Sequence, residues 1–150
     1  MDSAFLTFRL DLASALLTER ANAVYRERWD LDVRALRVLR LVCAEPGVTP
    51  KAVSRRALIE KTLLSKLLAD LESRGLLGRE THAEDGRSVA LRASREGRKV
   101  ARDSERLGRA LEAELASALS DRQRETLDRL LARLTTSLTR SAENAARAPG

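Results

Sequence analysis

The sequence predicts a mainly α-helical fold with one small β-hairpin wing, a winged helix-turn-helix core flanked by N- and C-terminal helices that pair in a dimer. Three observations lead there. Glycine (7) and proline (3) are scarce in 150 residues while Leu and Ala dominate, which favours helix. Apolar residues recur at helical spacing through both ends of the chain. Between Leu77 and Arg92 the apolar period changes from 3.6 to 2, marking two short strands.

The elements follow in order. Phe5, Leu6, Leu10, Ala13, Leu16 and Leu17 mark a first helix over about residues 3–28. Asp32 caps a second over about 33–45, with Leu36, Leu39, Val42 and Cys43 on one face, and Pro46-Gly47 ends it. Thr49 caps a third helix of about 50–57, with Pro50 at its favoured first position and Ala52, Val53 and Ala57 facing inward. A fourth runs from about Glu60 to Arg74, and Gly75 supplies its left-handed stop. The strands Leu77–Thr81 and Ser88–Arg92 are joined by the loop 82–87; Val89 and Leu91 point one way, Ser88, Ala90 and Arg92 the other. Ser94 caps a fifth helix of about 95–118, in which Leu107, Leu111, Leu115 and Leu119 repeat every four residues. Ser120 with Gln123 forms a capping box. It opens a sixth helix striped by Leu127, Leu130, Leu131, Leu134 and Leu138, with a polar, frayed tail beyond about Ala142.

This divides one chain into a helix-turn-helix and wing at 31–97 and flanking helices at 1–30 and 98–145. The apolar stripes of the flanking helices lie far in sequence from the compact middle. Pairing them between two chains would bury them, so a twofold homodimer is expected.

The net charge is +6, but it is spread: residues 1–48 are net zero, and 49–92 and 93–150 carry +3 each. A basic balance suits a polyanion without proving one, so the argument rests on pattern. On the fourth helix Leu64, Leu67, Leu68 and Leu71 fall on one side as core. Thr62, Ser65, Lys66 and Ala69 fall opposite, with Lys61 at an edge. A small, polar, basic face is what a helix needs to enter a DNA major groove about 12 Å wide, where hydroxyls and Lys reach bases or phosphates. Lys51, Arg55 and Arg56 on the third helix are placed to hold backbone phosphates. Arg87, at the hairpin tip, suits a minor groove, and Asp85 two residues away can hold its guanidinium. The sequence-level sites are therefore Lys51, Arg55, Lys61, Thr62, Ser65, Lys66, Asp85 and Arg87, with double-stranded DNA as partner.

The same residues resemble the MarR family of multiple antibiotic resistance regulators. The likeness runs from Leu31 to Gly97 and more loosely to about Leu134. It is most specific in Leu71-Glu-Ser-Arg-Gly-Leu-Leu77, Arg79, Asp85-Gly-Arg87, Leu91 and Ser94-Arg-Glu-Gly97, with Ser120-Asp-Arg-Gln-Arg-Glu-Thr-Leu-Asp-Arg-Leu-Leu131 similar to the family's last helix. The resemblance implies a homodimeric transcription factor, usually a repressor on a palindrome. It also implies that the helix matching 60–74 reads the major groove and that Arg87 enters the minor groove. Many members release DNA when a small aromatic or phenolic ligand binds. The departures are Leu58 where Gly is common, Leu63 at the edge of the reading face, Ala93 for Leu and Ser94 for Thr.

Tyr25 and Trp29, where the first helix meets the second, either stack such an effector or pack the core. Cys43 is expected to be a buried structural thiol rather than a redox sensor. The family's redox-sensing members carry their cysteine in the first helix, and that helix has none here, which argues against peroxide sensing. One His and one Cys cannot supply a typical zinc set, and no Gly-rich phosphate loop exists, so neither catalysis, cofactor nor metal is expected. The first residues lack the pattern of a signal peptide, and no apolar run reaches membrane-spanning length, so a cytoplasmic protein without a membrane partner is expected. The alternatives kept are a non-specific architectural DNA-binding protein and a helical scaffold.

Overall fold

The computed structural model describes residues 5–81 and 89–147. Its elements are α1 (Leu6–Trp29), α2 (Val33–Ala44), α3 (Pro50–Ala57), α4 (Lys61–Ser73), β1 (Leu77–Thr81), β2 (Val89–Ala93), α5 (Arg95–Leu115) and α6 (Asp121–Arg147). The chain forms two compact units, 1–111 and 112–150.

In the first unit the local capping chemistry holds as read. Asp32 Oδ1 accepts from Ala35 N at 2.9 Å, and Thr49 Oγ1 accepts from Ala52 N at 3.2 Å with Pro50 opening α3. Ser94 Oγ accepts from Gly97 N at 3.0 Å and donates to Gly75 O at 2.6 Å, so one hydroxyl caps α5 and ties it to the end of α4. α2 is the central element: Ala35, Leu36, Val38, Leu39 and Val42 are buried, and Val53, Leu64, Leu68, Leu71 and Leu91 belong to the same core. Asn22 reaches from α1 to accept from Val33 N at 2.8 Å. Arg74, at the end of α4, pairs with both Asp70 (2.9 Å) and Asp30 (3.2 Å), linking the fourth helix to the α1–α2 corner.

The strands pair antiparallel from Leu77↔Ala93 to Thr81↔Val89. The segment before α3 joins them: Gly47 N donates to Leu91 O (2.8 Å) and Leu91 N to Val48 O (2.9 Å), a bridge between residues too far apart for a local reading to detect. Ala90 is buried as well as Leu91, against the simple alternation. A small residue is covered by its neighbours whichever way it points.

α5 corrects the sequence reading most. It ends at Leu115, not 118, and its buried face is Gly97, Val100, Ala101, Ser104 and Gly108 instead of the leucine stripe. Leu107 and Leu111 are only half-buried. Helix meets core here by small residues, which permit a close backbone approach that leucines would prevent. Cys43 is half-buried rather than buried. Burial raises its thiol pKa, and the nearby Arg98 and Arg102 offset this in part.

In the second unit the Ser120–Gln123 capping box forms in both directions, Ser120 N to Gln123 Oε1 at 2.8 Å and Gln123 N to Ser120 Oγ at 3.2 Å. α6 continues to Arg147, beyond the end expected near Ala142, because Ala, Glu and Arg there sustain a helix.

Leu58 adopts φ 56°, ψ 46° between α3 and α4 and is 88% exposed. A branched side chain in the left-handed region costs about 1–2 kcal/mol and here gains no burial. Leu58→Gly removes that cost but loses about 0.5–1 kcal/mol through unfolded-chain entropy. A net stabilisation of about 0.5 kcal/mol is expected, read as a higher urea midpoint; a lower midpoint would refute it.

Candidate nucleic-acid interface

α4 presents two faces. Leu64, Leu68 and Leu71 are buried, while Lys61, Thr62, Ser65, Lys66 and Ala69 are exposed. Leu63 is half-buried against the core, as fits a position at the edge of the reading face. The helix is held at both ends. Ser54 Oγ donates to Ile59 O at 2.6 Å and Ile59 N donates to Ser54 O at 3.2 Å, locking the turn from α3. Arg37 Nη1 donates to Ala57 O at 3.2 Å, so α2 satisfies the end of α3. At the far end Leu76 N donates to Leu71 O at 3.0 Å.

The exposed faces of α3 and α4 carry Lys51, Arg55, Lys61, Thr62, Ser65 and Lys66, each of them exposed. Arg56 is paired with Glu45 and so is less available to a phosphate. A cleft of about 220 Å³ brings together Lys51 and Pro50 of α3, Lys61 and Ser65 of α4, and Arg79 of β1, with Leu64 and Leu68 also lining it. Arg79 was not among the site residues read from sequence; its only signal there was its place in the family motif. Its Nε pairs with Glu72 Oε2 at 3.2 Å. His82, Asp85, Gly86 and Arg87, the wing-tip residues, lie outside the described residues.

Tyr25 and Trp29 are at another place, the junction of α1, α2 and α5. Tyr25 is 5% exposed and part of the core, and Trp29 packs against that core with ring centroids 6.1 Å apart. Arg40 lies 5.7 Å from the Tyr25 ring and its Nε donates to the buried Ser104 Oγ at 3.3 Å. One terminal nitrogen of Arg40 is buried and has no hydrogen-bond partner among the described residues. A Cβ at Gly108 would lie 2.4 Å from Tyr25 Oη, so the small residue makes room for the ring. Among the described residues no group of three His, Cys, Asp or Glu could hold a metal, and no helix is long and apolar enough to cross a membrane.

A short helix, a locked turn, a second helix with a free polar face and then at once a hairpin place the protein in the winged helix-turn-helix class. A family model described as MarR family matches residues 29–88. The transcriptional regulator HosA of Escherichia coli is 30% identical over 105 residues, covering 70% of this chain and 78% of that protein. The chain belongs to the MarR family of transcriptional regulators. Among solved structures, Mycobacterium tuberculosis Rv2887 in complex with salicylic acid is 26% identical with TM-score 0.74, covering 89% of this chain and 98% of that one. Streptococcus pneumoniae FabT in complex with DNA shares the fold at 20% identity and TM-score 0.71, covering 89% of this chain and 95% of that one.

Proposed function

We propose that this regulator is a homodimeric repressor that reads a palindromic operator through α4. The observation that carries the reading is the division of α4 into a leucine face sunk in the core and an exposed Lys61-Thr62-Ser65-Lys66 face. FabT, of the same fold, is a DNA-bound protein. The dimer is supported by apolar side chains left exposed on α1 and α6, among them Leu6 at 57% and Leu138 at 61%. Two α4 helices would then engage half-sites one helical turn, about 34 Å, apart.

The experiment is a gel shift with the promoter region upstream of the protein's own gene, against excess unrelated duplex. A discrete complex surviving competitor supports an operator-specific regulator. A smear lost to competitor turns the reading toward non-specific architectural binding, and no shift at low salt overturns it. In the same assay Arg87→Ala is expected to weaken binding, and unchanged affinity would remove the wing-tip role. Lys66→Ala is expected to lower discrimination between operator and random duplex; equal weakening of both would make Lys66 a phosphate anchor.

An aromatic carboxylate is the proposed effector. Rv2887 is solved in complex with salicylic acid, and here the Arg40 guanidinium lies 5.7 Å from the Tyr25 ring, with one buried terminal nitrogen that has no hydrogen-bond partner among the described residues. Tyr25 is covered, so a ligand reaching Arg40 must displace it, and entry is thereby coupled to the α1–α2–α5 junction. It releases DNA only through unequal affinity for the two arrangements. Salicylate is expected to raise the melting temperature of the free protein and to weaken the operator complex. If it does neither, the effector reading fails.

A further inference from the structure

The outer side of α5 is a basic stripe. Arg95, Arg98, Lys99, Arg102, Arg106 and Arg109 are all exposed. At 3.6 residues per turn they fall within about 100° of arc. They lie opposite the face buried through Gly97, Val100, Ala101, Ser104 and Gly108. Residues 95–109 set these six cations against Glu96, Asp103 and Glu105, so the whole +3 excess of residues 93–150 sits in this stretch. Arg95 and Lys99, Arg98 and Arg102, and Arg102 and Arg106 stand four residues apart, a spacing at which like charges destabilise a helix. Several exposed arginines elsewhere meet an acid: Arg56 meets Glu45, Arg79 meets Glu72 and Arg92 meets Glu80. On the stripe Glu105 is taken by Arg109 at 2.6 Å, and no ion pair among the described residues involves Arg95, Lys99, Arg102 or Arg106.

We propose that this stripe holds the phosphate backbone of duplex flanking the operator, outside the stretch read by α4. The inference rests on the DNA-binding reading and lengthens its contact. The stripe spans about 21 Å at 1.5 Å per residue, the axial length of roughly six base pairs. Its first end adjoins the DNA-reading part of the fold. Arg98 Nη1 donates to Ala93 O at 2.9 Å at the end of β2, and Ser94 Oγ donates to Gly75 O just past α4. Five of the six cations are arginine, whose planar fork matches phosphate oxygens. A protein partner fits less well, because such interfaces are anchored by large apolar or aromatic side chains. Among the described residues, no large exposed hydrophobic side chain lies between Arg95 and Arg109.

The test is fluorescence anisotropy of the full chain with one promoter site carried on two duplexes. One is about 20 base pairs long, and the other adds about 15 base pairs at each side. The unmodified chain is expected to bind the longer duplex roughly tenfold more tightly, with a steeper fall of log K against log salt. In the double variant Arg102→Gln, Arg106→Gln the slope on the longer duplex should shrink by about two. Most of the advantage over the short duplex should be lost, and binding to the short duplex should be unchanged. Because the replaced charges repel their neighbours, this variant should melt no lower than the parent. Equal affinity of the unmodified chain for the two lengths overturns the proposal. So does an unchanged slope in the variant, the outcome expected if the stripe serves an acidic protein. A lower melting temperature with both duplexes weakened alike would make the two arginines structural and overturn it too. If the unmodified chain binds neither duplex at low salt, the DNA-binding reading itself falls, and the stripe proposal with it.

Discussion

Gly97→Ala is expected to destabilise the protein by about 2–3 kcal/mol, although alanine is the better helix former by about 1 kcal/mol. A Cβ at residue 97 would stand 1.8 Å from Leu76 O and 2.8 Å from Leu76 C. These are backbone atoms and cannot swing aside as a side-chain tip would. Leu76 O also accepts from Ser94 N at 3.0 Å, in the same corner where Ser94 Oγ caps α5 and bonds Gly75 O. Relieving the clash therefore means moving α5 away from the root of the hairpin and disturbing those bonds together. For a chain of this size the melting temperature should fall by roughly 5–10 °C. Operator affinity should fall as well, since the hairpin's base is re-aimed relative to α4. A melting temperature within a degree of the parent would show that the approach of α5 to Leu76 is looser than described.

Leu71→Ala is expected to cost about 3 kcal/mol, in the range for large-to-small changes in a packed core. Leu71 is 0% exposed and belongs to the core cluster that includes Leu36, Leu39, Leu68 and Leu91. It lies in the last turns of α4, and its carbonyl accepts from Leu76 N. Removing the side chain leaves a void beneath the helix whose other face is offered to DNA. The urea midpoint should drop with the denaturant slope unchanged, and operator affinity should fall because the helix is no longer held at one tilt. A loss below about 1 kcal/mol would mean that α4 is not anchored through this residue.

The cleanest sequence readings were those whose chemistry is local. Asp32, Thr49 with Pro50, Ser94 and the Ser120–Gln123 box each satisfy backbone groups within three residues of themselves, so short sequence windows contain both partners. The two-faced α4 was equally legible, because helical spacing alone separates Leu64, Leu68 and Leu71 from Thr62, Ser65 and Lys66. The family resemblance was legible for a related reason: Gly75 and Gly97, as stop and close approach, are demands of the backbone that leave marks at constant spacing.

What was misread lies where packing brings distant segments together. The leucines of α5 stand out by hydrophobicity, yet its first half is buried through Gly97, Val100, Ala101, Ser104 and Gly108. Interhelical distance decides which side chains fit there, and one helix's own periodicity does not contain that distance. The same holds for Val48 bridging Leu91, for Arg74 reaching Asp30, and for Arg40 between Tyr25 and Ser104. Arg79 came to share a cleft with Lys51 and Lys61 only when β1 was set beside α3 and α4.

By itself, then, the sequence determined the element order, the helix caps and the outward face of α4, because turns, caps and periodicity are written in neighbouring residues. The tertiary structure alone decided which face of α5 is buried, how the chain before α3 joins the hairpin, and which cations share one cleft, because those depend on approach distances between segments far apart along the chain.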